Sequence, residues 1–242
     1  ARDQLRRANG ELSQVIESQQ RFLSILSHDV RAPLYGLNHL LAEGVQSAAE
    51  LTKEDLLEMM KTCEQSSRSL STFFEDTLVW AQNETGGNAE PEAAISLSDA
   101  FFSVRSLLIS GFEKKEVRLE SQIPAGMAVT CRPNAFATVV RNLLSNAMKY
   151  SYPGGKVTFS CERINDRIRV AVFDEGVGLS PEQLSALFHP DSRHSTLGTG
   201  SEKGAGMGLI LCKSLVEKMG SDLCVESKEG GGSRFYFDLK SA

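Results

Sequence analysis

The sequence predicts an α+β fold in which a helical hairpin, dimerising into a four-helix bundle, is followed by an α/β-sandwich domain. The first observation is a long stretch of apolar residues at helical spacing that runs to about residue 83. The second is the alternation of strand-like and helical segments after residue 94. Between them, residues 84–94 are rich in Gly, Pro and acidic residues, which is typical of a linker.

The N-terminal segment has the heptad spacing of a coiled coil, with one polar position at Gln19. We therefore predict a coiled-coil helix over 1–20 that continues into the first helix of the hairpin. Pro33 interrupts this helix and cannot donate a hydrogen bond to the carbonyl of Asp29. We expect the helix to bend at that turn.

The second helix of the hairpin has a cleaner pattern, because its apolar and small residues alternate spacings of four and three. These residues are Leu56, Met60, Cys63, Ser67, Leu70, Phe74, Thr77 and Ala81. Thr52 and Asp55 resemble a capping box at its start. We assign the hairpin to 21–83. Two helices bury little by themselves, so we expect a homodimer through the hairpin; the alternative is a monomeric hairpin packed on the following domain.

Beyond the linker, residues 95–242 form the second domain. Its strand-like segments are EVRLESQI, GKVTFSCERI, DRIRVAVFDEG, DLCVES and SRFYFDL, the last two forming a closing pair. Its helical segments are SDAFFSVRSLLISGFEKK, RPNAFATVVRNLLSNAMKYS and GLILCKSLVEKMG. This pattern predicts a sheet with helices on one face.

Composition excludes several classes of protein. The 242 residues carry a net charge of −5, so nucleic acid is not an expected partner. Five scattered cysteines without a CxxC pair indicate reduced thiols rather than disulfides or zinc. No run of about 18 apolar residues and no signal peptide occur, so we expect a cytoplasmic location.

Three motifs in the second domain point to nucleotide chemistry. Asn142 and Asn146 share one helical face, where an amide oxygen can bind Mg²⁺, and Lys149 follows one turn later and can meet phosphate oxygens. Alone, such a pair could equally consist of polar helix positions.

The second motif is DEGVGLS, which follows a strand. Asp174 can accept a hydrogen bond from an exocyclic amine such as that of adenine, and Gly176 and Gly178 permit a tight turn. The third is GAGMGL, in which Gly204, Gly206 and Gly208 bare backbone N–H groups before a helix and so form a ready site for phosphate. Each alone is weak. Between them, HPDSRHSTLGTGSEK has the composition of a mobile lid.

In combination, the order of these motifs resembles the ATP-binding domain shared by histidine kinases, Hsp90, gyrase B and MutL. Together with SHDVRAPL at residues 27–34, the chain resembles the cytoplasmic core of a sensor histidine kinase of a two-component system. The resemblance covers nearly everything from about residue 20 onward. It implies a histidine phosphotransfer hairpin, an ATP-binding catalytic domain, and a signalling role for the helix over 1–20.

The resemblance also implies roles for individual residues. Asn146 would hold Mg²⁺, Asp174 would bind adenine, and the glycines of GAGMGL would hold phosphates. The residues expected to line ATP are Asn142, Asn146, Lys149, Tyr150, Asp174, Gly176, Gly178, Gly204, Gly206, Gly208 and Leu209. Phe188 falls at the family's F-box.

His28 is the expected phosphate acceptor, with Asp29 holding its tautomer and leaving Nε2 free to attack. His39, His189 and His194 lack this context. ATP-hydrolysing relatives have a Glu at the position of Asn142, and an amide cannot act as a general base. A water-using ATPase and a non-catalytic dimeric scaffold that binds ATP are the alternatives.

The family usually has HELRTPL where this chain has HDVRAPL. Ala32 replaces a Thr that many relatives use in dephosphorylating their partner, so we expect weak or absent phosphatase activity. The expected partner is the receiver domain of a response regulator. We expect an upstream sensor region that is missing from this chain. Both a soluble and a membrane-anchored receptor are compatible with the sequence.

Overall fold

The computed structural model describes residues 30–31, 33–47, 51–85, 90–188, 199 and 208–242. The helices are α1 (33–46), α2 (Lys53–Thr85), α3 (Leu97–Lys114), α4 (Pro133–Tyr150), α5 (Pro181–Ala186) and α6 (Gly208–Lys218). The strands are β1 (Ala93–Ser96), β2 (Arg118–Gln122), β3 (Ala128–Cys131), β4 (Lys156–Ile164), β5 (Arg167–Asp174), β6 (Cys224–Ser227) and β7 (Ser233–Lys240). The chain divides into two compact units between Glu75 and Asp76.

The first unit contains α1 and most of α2. The predicted capping box is present at the start of α2, because the Asp55 backbone N–H donates to Thr52 Oγ1 at 3.1 Å and the Thr52 N–H donates to an Asp55 carboxylate oxygen at 2.9 Å. A Cβ on Gly44 would lie 3.2 Å from Met59 Cε, so α1 and α2 approach each other closely there.

Part of the apolar seam predicted for α2 is exposed, although Leu70 is buried. Leu56, Met60 and Phe74 expose 38%, 68% and 47% of their surface. Val45 on α1 is 79% exposed. No helix in the described ranges has the length and apolar character needed to cross a lipid bilayer.

The second unit is built on a five-stranded sheet in the order β2-β4-β5-β7-β6. β2 runs parallel to β4, and every other neighbouring pair is antiparallel. Burial alternates along β7, so one face of the strand is buried and the other is partly exposed. β6 pairs with β7, with Ser227 opposite Ser233, which confirms the predicted closing pair of strands.

Helices α3 and α4 supply the aromatic core of this unit. The rings of Phe101 on α3 and Phe159 on β4 stack with centroids 4.8 Å apart, and Phe136 on α4 meets Phe237 on β7 edge to face at 6.3 Å. These four residues are all buried. Each helix therefore contributes one ring to the core and packs it against a ring from a strand.

The end of α3 is a left-handed turn. Lys115 is its C-cap, Glu116 has φ 58°, and the Val117 N–H returns to the Phe112 carbonyl at 2.9 Å. This is a Schellman-type termination, which places a non-glycine residue where glycine is usual.

The structure corrects the predicted element boundaries in two places. The segment 84–94, predicted as a linker, has regular structure at both ends, because α2 extends to Thr85 and β1 begins at Ala93. β1 pairs with β3 in a separate two-stranded sheet, and neither strand was predicted. Both have only four residues, too few for a clear alternation.

Candidate functional site

The predicted motifs converge at one end of the five-stranded sheet. α4 carries Asn142 and Asn146 and ends at Tyr150, and β5 ends at Asp174. Ser151 and Gly176 form an antiparallel bridge that joins the two ends. The first and second motifs are therefore neighbours in space.

Asp174 is the buried acid of this site. Its residue surface is 4% exposed, and its Oδ1 accepts a hydrogen bond from the Gly176 N–H at 3.0 Å. Burial raises the pKa of Asp174 to about 6, while the backbone N–H groups of Gly176 and Ser233 act in the opposite direction. Burial removes water from this carboxylate. A hydrogen-bond donor on a ligand can replace that lost hydration.

The loop after Asp174 passes very close to other backbone segments. A Cβ on Gly176 would overlap the Tyr150 carbonyl oxygen. Gly178 has φ +65°, and a Cβ there would overlap the Lys228 carbonyl oxygen. Packing therefore requires glycine at both positions, and at Gly178 the positive φ requires it as well.

The turn between β6 and β7 supports this loop, and sequence reasoning missed it. Ser227 Oγ accepts from the Leu179 N–H at 2.9 Å and lies 2.9 Å from Ser233 Oγ. The Gly230 N–H donates to the Val177 carbonyl at 2.7 Å. The glycines of KEGGGS signal a tight turn, but nothing in the sequence signals which loop it contacts.

Gly208, the last glycine of the third motif, packs against α4. A Cβ on Gly208 would lie 2.6 Å from Asn142 Oδ1. The Asn142 Nδ2 donates to the Thr138 carbonyl at 3.0 Å, so the amide has a fixed orientation. Leu209 is partly buried against the core, and Phe188 is too, with Lys213 Nζ 5.2 Å from its ring centroid.

Lys149 and Tyr150 interact with each other. Lys149 is 8% exposed, and its Nζ donates to the Tyr150 hydroxyl at 3.1 Å. The same ammonium lies 4.7 Å from the centre of the Tyr150 ring. The predicted contact of Lys149 with phosphate thus requires this pair to separate or to face the phosphate together.

Several predicted site residues lie outside the described residues. They are His28, Asp29, Ala32, Gly204, Gly206 and, apart from Thr199, the segment with lid composition. The coiled-coil helix over 1–20 and the bend at Asp29 also lie outside them. Their roles stay predictions. In the described part of the chain, no cluster of three His, Cys, Asp or Glu residues could hold a metal ion.

Part of the chain matches a known protein family, and nearly all of it is similar to a sensor protein. Residues 131–242 match the family described as histidine kinase-, DNA gyrase B-, and HSP90-like ATPase. The chain is 28% identical to the sensor protein GacS of Pseudomonas syringae pv. syringae over 96% of its own length, but it spans only 26% of that protein.

Solved structures agree on the fold. The Acinetobacter baumannii histidine kinase AdeS aligns with a TM-score of 0.66 at 16% identity, covering 88% of this chain and 97% of AdeS. Histidine kinase ThkA, solved in complex with response regulator protein TrrA, aligns with a TM-score of 0.68 at 18% identity, covering 97% of this chain and 64% of that one. At these identities the likeness concerns the fold alone.

Proposed function

We propose, from the family match of residues 131–242 and the similarity of the chain to the sensor protein GacS, that this protein is the core of a sensor histidine kinase. It acts as an ATP-dependent protein-histidine kinase of a two-component system. It transfers the γ-phosphate of ATP to His28, and then on to an Asp of a response regulator. The chain spans about a quarter of GacS, so this proposal concerns the catalytic core.

The observation that carries the choice of a kinase is the environment of Asn142. Its amide is engaged by the Thr138 carbonyl and faces Gly208. An amide is neither an acid nor a base at neutral pH, so it cannot take a proton from water. The site therefore lacks the group that hydrolytic relatives have here, which favours a nucleophile other than water.

The residues of the site fit ATP and Mg²⁺. The buried Asp174 carboxylate accepts the hydrogen bond of the adenine amine, which gives this buried ionisable group a further partner beside its backbone hydrogen bonds. The Asn146 amide oxygen is a suitable ligand for Mg²⁺, an ion that usually takes few protein ligands and keeps several waters and substrate phosphates. ATP supplies the phosphoryl group, and Mg²⁺ neutralises charge on the phosphates.

His28 and Asp29 carry out the transfer. In this proposal the Asp29 carboxylate would accept a hydrogen bond from His28 Nδ1–H, which would leave the lone pair of Nε2 free. Nε2 forms a bond to the γ-phosphorus while the bond from that phosphorus to the β,γ-bridging oxygen breaks, so that ADP leaves. Asp29 stabilises the positive charge that develops on the ring.

The test is incubation of the purified chain with γ-labelled ATP and Mg²⁺. The chain should become labelled, and the label should be acid-labile and base-stable, as a phosphohistidine is. His28→Gln should abolish labelling. His39→Gln is the matched control, because His39 lies on α1 with an exposed side chain, and it should label like the unmodified protein.

Two outcomes would reject the proposal in different ways. Steady phosphate release without a labelled protein would identify a water-using ATPase. ATP binding with neither label nor hydrolysis would favour the runner-up, a dimeric scaffold that binds ATP without catalysis.

A receiver domain is the proposed partner, in keeping with ThkA, whose structure contains the response regulator TrrA. Labelled chain mixed with a receiver domain should lose its label to an Asp of that domain. Because Ala32 cannot position a water through a hydroxyl, dephosphorylation of the receiver should be slow. Ala32→Thr should accelerate it; equal rates would contradict this part.

A homodimer through the helical hairpin completes the proposal. The exposed side chains of Val45, Met60 and Phe74 form apolar surface that a second copy would cover. The resulting arrangement is the four-helix bundle expected from the sequence.

A further inference from the structure

The C-terminal end of α4 is held by donors from several parts of the chain. The last carbonyls of a helix have no partner within the helix, so they must be satisfied from elsewhere. The Tyr150 carbonyl accepts from the Val177 N–H at 3.2 Å, and the Ser151 carbonyl accepts from Thr199 Oγ1 at 2.6 Å. The next carbonyl back, that of Lys149, accepts from Lys115 Nζ at 2.5 Å.

Lys115 reaches this carbonyl from a rigid position. As the C-cap of α3, its N–H donates to the Gly111 carbonyl at 3.1 Å. The following residue, Glu116, accepts from the Gly154 N–H at 2.9 Å, and the Arg118 N–H donates to the Gly155 carbonyl at 2.9 Å. The turn after α3 is thus fastened to the segment after α4 by backbone bonds, and Lys115 adds the side-chain bond.

The bond made by Lys115 is of a strong kind. Its donor is an ammonium group, and charge-assisted hydrogen bonds are roughly twice as strong as neutral ones. The acceptor lies in the last turn of α4, where a cation is also favoured by the helix dipole. Lys115 is half-buried, so solvent screens this interaction less than it would at the surface.

The same carbonyl has a second donor in Thr199. Its N–H and its Oγ1 both lie 3.3 Å from the Lys149 oxygen. A carbonyl oxygen has two lone pairs and can accept from Lys115 and Thr199 together. Lys115 and Thr199 therefore meet at one backbone atom of α4.

We propose that Lys115 is a positioning residue of the nucleotide site, acting through the Lys149 carbonyl. That carbonyl belongs to the residue whose ammonium pairs with Tyr150, and both side chains are among those proposed to line ATP. By fixing the backbone of residue 149, Lys115 orients these two side chains before nucleotide binds. This inference rests on the proposed function, since it assumes that Lys149 and Tyr150 face ATP.

The test measures the affinity of the whole chain for a non-hydrolysable ATP analogue with Mg²⁺ by calorimetry. Lys115→Met keeps most of the length of the side chain and removes the charge, and it should weaken binding by about tenfold. Lys115→Arg keeps a cation in reach of the carbonyl and should restore most of the affinity. Lys114→Met, at the exposed end of α3, is the matched control and should bind like the unmodified chain.

A second readout separates positioning from simple stabilisation. The KM for ATP in autophosphorylation should rise for Lys115→Met by a factor similar to the loss in affinity, while kcat changes by less than about twofold. Thr199→Val removes the hydroxyl, whose shorter hydrogen bond is to the Ser151 carbonyl, and keeps the backbone N–H that donates to the Lys149 carbonyl; it should also weaken binding. The effects of Lys115→Met and Thr199→Val should be non-additive, because the two side chains hold the same end of α4.

The outcomes separate the inference from the function it rests on. If the unmodified chain does not bind the analogue, both fail. If it binds and Lys115→Met binds equally well, or Lys115→Arg binds as weakly as Lys115→Met, the positioning role is wrong and the kinase proposal stands. If Lys115→Met does not fold, the other two variants decide. An unchanged affinity for Thr199→Val would contradict the inference. A severe loss of affinity for Lys115→Arg would contradict it too.

Discussion

The Cα of Gly208 lies against the side-chain oxygen of Asn142, so that any Cβ at position 208 would come within 2.6 Å of it. The first residue of α6 and the middle of α4 thus touch at a point where only glycine fits. Asn142 cannot simply turn away, because its Nδ2 is bonded to the Thr138 carbonyl.

Gly208→Ala should therefore disturb Asn142 and weaken nucleotide binding by about tenfold, equivalent to the loss of about 1.4 kcal/mol. The amide must rotate and give up its bond to Thr138. Titration with an ATP analogue measures the effect. Gly36→Ala is the control, since a Cβ on Gly36 meets nothing within 4 Å, and its affinity should be unchanged. Equal affinity for Gly208→Ala would show that the contact is not important.

A matched pair of glycines isolates the packing of the loop after Asp174. Gly178 and Gly126 both have positive φ, at 65° and 75°, but only at Gly178 would a Cβ overlap another backbone segment. Gly126→Ala should cost about 1 kcal/mol for its backbone conformation alone. Gly178→Ala should lower the free energy of unfolding by about 3 kcal/mol or more, because the Lys228 carbonyl belongs to the β6–β7 turn and cannot move independently. Urea unfolding of both variants compares them; equal losses would contradict the close approach.

The burial of Asp174 predicts opposite pH trends for stability and for ligand binding. Its pKa rises from 3.8 to about 6 in the folded chain, so the folded state binds a proton that the unfolded state does not take up until lower pH. Stability without nucleotide should therefore increase as the pH falls from 7 towards 4, by up to about 3 kcal/mol from this group. Nucleotide affinity should fall below about pH 6, because a protonated carboxyl no longer accepts as well.

Thermal unfolding between pH 7.5 and 5 checks the stability trend. The Asp174→Asn variant is the control and should lose the increase. Asp238 should not contribute to the trend between pH 7.5 and 5, because its hydrogen bond to Arg169 lowers its pKa. At lower pH, protonation of Asp238 decreases stability, which is the opposite sign. A stability that falls equally in both proteins between pH 7 and 5 would exclude Asp174 as the cause.

The left-handed turn after α3 offers a stabilising substitution. Glu116 has φ 58°, a conformation that disfavours side chains. Glu116→Gly should raise the free energy of unfolding by up to about 1 kcal/mol, the strain relieved being partly offset by a more flexible unfolded chain. Glu113→Gly, within α3, should instead lose about 1 kcal/mol. Denaturant midpoints would reveal the contrast, and a loss in both would contradict the assigned turn.

The exposed seam of the first unit predicts a dimer that a single charge disrupts. Met60 is 68% exposed within one chain, and in the proposed bundle it is buried by the second copy. Met60→Lys should shift the molecular mass measured by light scattering from dimer towards monomer, since a buried unpaired charge is costly. Lys61→Ala, on the next position of α2, should leave the dimer intact. A monomeric unmodified chain would refute the proposed bundle.

The sequence predicted the elements that have strong periodicity. The helical pattern of RPNAFATVVRNLLSNAMKYS matches α4, and the glycines at 176 and 178 occur at two close approaches of the backbone. The capping box of Thr52 and Asp55 was readable because its residues are three positions apart.

Other features depend on contacts that no local pattern encodes. Ser227 and Ser233 reach the loop after Asp174 only because β7 lies beside β5. Lys115 meets the Lys149 carbonyl across 34 positions, and the sequence gives no sign of which of the two adjacent lysines at the end of α3 turns inward. The positive φ of Glu116 could not be predicted from the sequence either, because tertiary packing imposes this conformation against the local preference of a non-glycine residue.

The position of β7 has a consequence for the order in which the protein becomes active during synthesis. β7 follows all other strands in the chain, yet it lies between β5 and β6, and its first residue supports Asp174. A ribosome releases the proposed acceptor, His28, long before it releases residues 233–240, so under the proposed function the acceptor precedes its donor site. A chain that stops before β7 would then carry the proposed acceptor without a complete site to phosphorylate it.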